Sequence, residues 1–472
     1  MSFGSYIYII AVMTHKISNN KELFNKLLKI AVPMMIQNGI SNIVNLLDNF
    51  MIGQVSTNSL SGVAIANQMM FVFYLMIFGA TAGSGIFTAQ YFGKGDWEGV
   101  RITFRFKLIV NIILSVAASL IFIFGATYLI SRFLLGEGDP ADAAERLNIG
   151  VTYLNVMVIS LIPIGISMAF SGTLRDIGQT KVPLVASACA IGVNFIGNLI
   201  LIYGYLGFPA LGALGAAIAT VISRFVELGV LVIYVATHKK QCPFIVGAFR
   251  HFKIPGKLAL RFIIKATPLL LNETLWSLGM TMLNQSYSYR SLDAMSAIQI
   301  QNSIYNVMMV AFVAMGEAVG ILIGQILGSG QIEYAKKNAF KMVWFTVAFG
   351  VLFGILMVIA SPYFPPVFVP DATDSILHMA KWLIVITGVL MPFYSFTHAS
   401  YFIIRSGGNT FITMIFDSGF VWLLSVPFAF VLSRFTDLSV IRMVLMVQSL
   451  EIVKCLSAAL FVRSGIWAKN IT

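Results

Sequence analysis

Twelve long apolar runs constrain this 472-residue chain more than any other feature. They fall near 28–52, 61–88, 107–130, 147–172, 182–204, 211–236, 260–286, 296–326, 341–361, 377–403, 411–432 and 439–462. Each suits a helix crossing about 30 Å of hydrocarbon, which takes ~20 apolar residues. A membrane β-barrel would instead show ~10-residue segments of alternating polarity. Composition agrees, with 58% hydrophobic and only 11% charged residues, against about 25% charged in soluble domains. A water-soluble enzyme, a disordered chain and an ordinary nucleic-acid binder are thereby excluded. Cys189, Cys242 and Cys455 have no metal-ligand spacing, so neither a disulfide framework nor a metal site is expected.

The net charge of +12 has a topological source. With a cytoplasmic N-terminus, 23 of the 31 Lys and Arg residues lie in inside segments and 6 in outside loops. That bias places both termini in the cytoplasm. The acidic loop with Glu137, Asp139, Asp142 and Glu145 then falls outside. Met1–Val12 lacks the basic start and small-residue cleavage site of a signal peptide, and Met13 is a candidate true start. The expected segments are a cytoplasmic stretch at 1–26, a first lobe at 27–236, a cytoplasmic linker at 237–259, a second lobe at 260–463 and a tail at 464–472.

The two halves repeat. At an offset of 235, Pro33, Asn49 and Asn67 meet Pro268, Asn284 and Asn302. Gly85, Ile86, Gln90, Gly93 and Gly95 meet Gly320, Ile321, Gln325, Gly328 and Gly330. At an offset of 230, Arg175, Gly178 and Thr180 meet Arg405, Gly408 and Thr410, and Arg224 meets Lys454. Polar matches at fixed offsets indicate a duplicated six-helix unit. Because each copy starts on the same side, the repeats are parallel and related by a pseudo-twofold axis along the membrane normal. The predicted fold is an all-α polytopic membrane protein of two six-helix lobes, with a solute site of alternating access.

Polar groups inside the spans carry the chemistry. Asn38, Ser41, Asn42, Asn45, Asp48 and Asn49 share one face of span 1. Span 7 carries Glu273, Trp276, Ser277 and Asn284, and span 8 carries Gln299, Asn302 and Asn306. Such stripes must face protein or water, because unsatisfied groups in hydrocarbon cost several kcal/mol. Of the ionisable residues, Glu227 and Glu451 sit three residues from Arg224 and Lys454 and read as structural ion pairs. Asp48, Glu273, Glu317 and Asp417 have no basic neighbour within a turn of their own helix, which makes each a candidate proton or cation site. Asn67 and Tyr74 on span 2, with Asn302, Tyr305 and Met308 on span 8, are candidates to line the substrate cavity; aromatic faces attract cations and Met adapts to varied shapes.

The chain resembles the multidrug and toxic compound extrusion (MATE) family, bacterial type. The likeness covers about Leu23 to Arg463. It rests on A-V-P-x(14)-D-N-x-M-I-G from Ala31, Q-x-x-G-x-G at Gln90, L-R-D-I-G-Q-T at Leu174, N-x-x-x-N from Asn194, and G-A-L-G-A-A-I-A-T ending at Thr220. The resemblance implies a secondary active exporter of small amphipathic or cationic drugs, exchanging them for H⁺ or Na⁺ across the cytoplasmic membrane. It needs no other cofactor and is expected to act as a monomer. It matches the first-lobe coupling site to Asp48, Asn194, Asn198 and Thr220, with Asn198 where many members carry aspartate. Another branch's span-7 glutamate matches Glu273, while its span-10 aspartate falls at or beside Tyr394.

The alternative is a lipid-linked oligosaccharide flippase of the same superfamily. It would want a strongly cationic cavity, and only Arg224 and Lys454 are intramembrane bases, each beside an acid. A membrane-embedded enzyme is disfavoured by scattered histidines without H-E-x-x-H, and ATP-driven transport by the lack of a P-loop.

Overall fold

The structure is a computed structural model. It describes residues 20–134, 140–250, 254–369 and 372–472. Met1–Val12, Met13, Glu137 and Asp139 lie outside them. The first six long helices are α1 (Asn20–Gly53), α2 (Thr57–Lys94), α3 (Trp97–Phe133), α4 (Pro140–Asp176), α5 (Lys181–Tyr203) and α6 (Ala213–Thr237). The second six are α7 (Gly256–Ser288), α8 (Leu292–Gly328), α9 (Ile332–Ala360), α10 (Asp374–Ser406), α11 (Thr410–Phe435) and α12 (Val440–Ser464). Eleven are long and apolar enough to cross a membrane; the exception, α7, carries the span-7 polar stripe. Several outrun the apolar runs that predicted them. The 38 residues of α2 make a rod of about 57 Å, nearly twice the hydrocarbon thickness.

The described residues form two compact units. One holds residues 36–88 and 97–263. Its core joins Ile52, Phe73, Phe122, Leu154, Leu161 and Ala217 from α1 to α6. The other holds the chain up to Met35, residues 89–96 and everything from Ile264. In it Leu23, Leu27 and Ile30 of α1 pack into a core with Met315, Leu322, Met342, Ile403 and Trp467.

In lipid, helices are held by close packing and polar contacts rather than by expulsion of water, and the duplicated motifs serve that need. Gly93 on α2 lies against the backbone carbonyl of Gln325 on α8, and Gly328 on α8 lies against the carbonyl of Gln90 on α2. A Cβ on either glycine would overlap that carbonyl. The repeated Q-x-x-G string is therefore a reciprocal helix crossing. The same Gln90 uses its side chain to hold the C-terminal tail, donating to Ser406 O and Lys469 O and accepting from Ile471 N. Gly95 and Gly330 both have φ near +79°, and Gly178 and Gly408 φ near +80°, so these four repeated glycines end helices in the left-handed region. A second crossing is inverted between repeats: Gly165 on α4 faces Ser115 on α3, whereas Gly350 on α9 faces Ser395 on α10.

The segment after α6 docks on α3. Arg105 donates from Nε to Ala248 O and from its terminal nitrogen to Gly247 O, each at 2.7 Å, and Phe244 stacks near Phe104 at 5.1 Å. Cys242 is sealed beneath this segment, and burial pushes its thiol up to about 11.

Two outcomes follow from this packing. Gly328→Ala forces a methyl into a backbone carbonyl, and overpacking of this kind costs about 1–3 kcal/mol. It should lower the melting temperature in detergent, whereas Gly192→Ala, whose added Cβ meets open space, should match or exceed the wild type. A variant with Cys242 as its sole cysteine should react with iodoacetamide slowly at pH 8. Its rate should climb about tenfold per pH unit towards pH 11, because only the thiolate reacts.

Candidate functional site

In the first unit a polar cavity of about 60 Å³, room for a few water molecules, is bounded by three helices. Helix α1 contributes Ser41, Asn45 and Asp48, α5 contributes Ser187 and Asn194, and α6 contributes Thr220, Ser223 and Arg224. The steps on α1 are four and three residues, so its polar face lines the cavity while Ile43 and Leu47 point outwards. Asn194 and Asn198 sit one turn apart on α5 and reach the same carboxylate.

Asp48 Oδ1 accepts a 2.6 Å hydrogen bond from Asn198 Nδ2. The Asn194 side chain bridges Asp48 and Thr220: its nitrogen donates to Asp48 Oδ1 and Oδ2 at 3.1 and 3.3 Å, and its oxygen accepts from Thr220 Oγ1 at 3.1 Å. This set of donors satisfies an ionised Asp48. Asn198 Oδ1 is buried without a hydrogen-bond partner among the described residues.

Arg224 shares the cavity but is engaged elsewhere. Its guanidinium pairs with Glu227 at 3.0 Å, the i,i+3 pair expected from sequence. Glu227 Oε1 also accepts from Ser187 Oγ, which accepts from Gln37 Nε2, and Gln37 Oε1 accepts from Arg175. Asp48 thus has a cation nearby without being locked to it.

The second unit departs from the sequence expectation. Lys454 does not pair with Glu451 on its own helix. Its Nζ lies 2.6 Å from Asp417 Oδ1 on α11, and Asn272 Nδ2 donates to Asp417 Oδ2 at 3.0 Å. Glu451 instead accepts from Thr397 Oγ1 on α10. The reason is local: α11 winds as a π-helix through Ile415–Gly419, and Ser418 is held by Asn272 through its backbone N–H and its hydroxyl, which turns Asp417 towards α12. Sequence reasoning missed this pair because a turn-by-turn search sees only one helix at a time. The signal that could have found it is the match of Gln37, Ser187 and Arg224 with Asn272, Asp417 and Lys454 at the repeat offsets.

The remaining candidates are scattered. Of the α1 asparagines only Asn45 joins Asp48 at the cavity; Asn38 and Asn42 lie further along the helix, half-buried. Asn67 is exposed and Tyr74 packs against the first unit's core. Tyr305 and Met308 pack against the second unit's core, Tyr305 edge-on to Tyr394 at 6.0 Å, and Asn302 is half-buried on the same helix. Glu273 adjoins Asn272 and is an electrostatic neighbour of Asp417 and Arg405. Glu317 is half-buried on α8.

A duplicated bundle of long apolar helices, with a carboxylate beside a polar cavity inside one repeat, fits the class of polytopic membrane transporters. The chain belongs to the MatE family: its model matches twice, over residues 33–200 and 268–431, once for each repeat. The chain is 24% identical over 455 residues to the probable multidrug resistance protein NorM of Thermotoga maritima, covering 95% of this chain and 94% of the relative. It is 23% identical over 417 residues to the probable multidrug resistance protein YoeA of Bacillus subtilis, covering 87% of each. Among solved structures, an outward-facing MATE transporter of the MOP superfamily superposes with a TM-score of 0.83 at 18% identity, over 93% of this chain and 96% of that one. The two six-helix repeats of the sequence reading are thus the MATE fold.

A double-mutant cycle tests the site's central bond. Hydrogen bonds to charged groups contribute about 1.5–3 kcal/mol. Asn198→Ala and Asp48→Ala should therefore be non-additive by that amount in unfolding free energy, and additive behaviour would show that the 2.6 Å contact carries no energy.

Proposed function

We propose that this chain is a secondary active multidrug exporter that exchanges small amphipathic or cationic drugs for protons across the cytoplasmic membrane. It works as a monomer with both termini inside, its lobes at 27–236 and 260–463 alternating access. The observation that carries the reading is Asp48, a carboxylate beside a polar cavity that makes no ion pair among the described residues. The names of the relatives as multidrug resistance proteins supply the substrate class.

Protons suit this cavity better than Na⁺. The carboxylate's lone pairs meet amide N–H donors. A metal cation needs oxygens turned towards it and would have to displace those donors. A proton adds no such cost, because it neutralises Asp48 in place.

The hydrogen bonds then supply a mechanism. Ionised Asp48 holds Asn198 and Asn194 by their N–H groups and attracts a cationic drug. A proton arriving from outside removes that charge. The amide donors of Asn194 and Asn198 lose their charged acceptor and reorganise with Thr220. Drug and proton thus oppose each other in binding, and a coupling of about 1–3 kcal/mol changes drug affinity 5–150-fold. The flippase alternative is disfavoured because both intramembrane bases are neutralised, Arg224 by Glu227 and Lys454 by Asp417.

Asp48→Asn, expressed at the wild-type level, should abolish efflux that follows the pH gradient while leaving the protein folded. Efflux of a fluorescent organic cation from inverted vesicles reads this out. Undiminished gradient-driven efflux would remove Asp48 from the mechanism.

A further inference from the structure

The second unit holds a buried group of charges that the mechanism above does not use. Helix α12 carries Glu451 and Lys454, α11 Asp417 and α7 Glu273; α10 presents Thr397, His398, Tyr401 and Arg405. The electrostatic neighbours of Glu451 are Lys454 and Asp417, and those of Glu273 are Asp417 and Arg405. Tyr305 of α8 and Tyr394 of α10 also face Glu451. His398 sets its ring edge-on to Phe312 at 5.4 Å and makes no ion pair among the described residues.

That leaves three carboxylates against two permanent cations. Uncompensated charge is expensive in a membrane interior, so the surplus acid must hold a proton or a bound cation. Asp417 is satisfied by Lys454 and Asn272. Glu273 has Arg405. Glu451 has only the Thr397 hydroxyl, at 2.5 Å. The carbonyls of Phe393 and Tyr394 lie 3.1 and 3.0 Å from that hydroxyl, in the usual back-bonding geometry of a helical threonine. If its single proton goes to the backbone, its oxygen must accept, and the donor is Glu451. One turn on, Tyr401 is 9% exposed and sets its hydroxyl near Arg405, Glu273 and Asp417.

We propose that Glu451 is a second proton-binding site, in the second repeat, with Lys454 as its switchable cation. Protonated, Glu451 donates to Thr397 and leaves Lys454 on Asp417, in keeping with the 2.6 Å Lys454–Asp417 contact. On losing the proton, Glu451 becomes the nearer acid on the lysine's own helix, at the i,i+3 spacing that favours a pair. Lys454 then swings to Glu451. Asp417 is released on the π-helical turn of α11, and its bond to Asn272 of α7 weakens. The joint of α7, α11 and α12 in this unit thereby responds to a proton independently of Asp48.

Infrared spectroscopy of the purified full-length protein tests this without any transport assay. Protonated carboxyl groups absorb apart from carboxylates. In an Asp48→Asn background at neutral pH, one protonated-carboxyl band should remain, titrate away as pH rises, and disappear in Glu451→Gln. Thr397→Val should shift its frequency by removing the hydrogen-bond partner, which keeps the idea testable if the glutamine variant misfolds. A band unchanged by Glu451→Gln, or by Thr397→Val where the glutamine variant does not fold, overturns the proposal. Such a result leaves the role of Asp48 untouched.

Discussion

Every charge in a bundle like this must find its counter-charge, or its proton, within the protein. Lipid offers no hydrogen bonds, and the handful of ionisable groups on these helices therefore decides both how the helices join and what they can do. Lys107 on α3 is wholly buried and meets Asp176 at the end of α4 at 2.6 Å. Arg224 meets Glu227, and Lys454 meets Asp417. These pairs engage three of the internal cations. What remains over is a short list of acids, and Asp48 stands out in that list because its only described hydrogen-bond partners are neutral amides.

The two repeats solve the same joint differently. Gln37, Ser187 and Arg224 correspond by position to Asn272, Asp417 and Lys454. In the first repeat the acid sits on the base's own helix, as Glu227, and the fifth helix supplies a serine. In the second the fifth helix of the repeat supplies the acid itself, and the acid on the base's own helix is freed for another partner. The positions repeat but the acids do not: aspartate stands where the first repeat has Ser187, and Glu227 follows its base by three residues whereas Glu451 precedes its base by three. The first repeat kept its free acid on α1 and the second on α12.

The fold was legible because its determinants are local or periodic. Apolar runs gave the helices, and fixed offsets gave the repeat. Q-x-x-G-x-G recurs because Gly93 and Gly328 touch each other's helices with no room for a Cβ, a demand that leaves the same letters in both halves. The cluster of Asp48, Asn194, Asn198 and Thr220 was legible only through family resemblance, since three helices far apart in sequence build it. The partner of Lys454 was not legible: the π-turn that aims Asp417 leaves no mark in hydrophobic periodicity, and i,i+3 spacing pointed to Glu451 instead. The extra length of helices such as α2 also escaped, because polar helix ends look like loops in an apolar scan.

The central claim is that downhill protons, acting on a buried carboxylate, drive drug uphill. It is tested most directly in proteoliposomes holding only this protein, with pH and Na⁺ gradients imposed one at a time and a fluorescent organic cation as cargo. Accumulation against its own gradient should follow the pH gradient in Na⁺-free buffer and collapse with a protonophore. Accumulation that survives the protonophore, or that requires Na⁺ or ATP, would contradict the account.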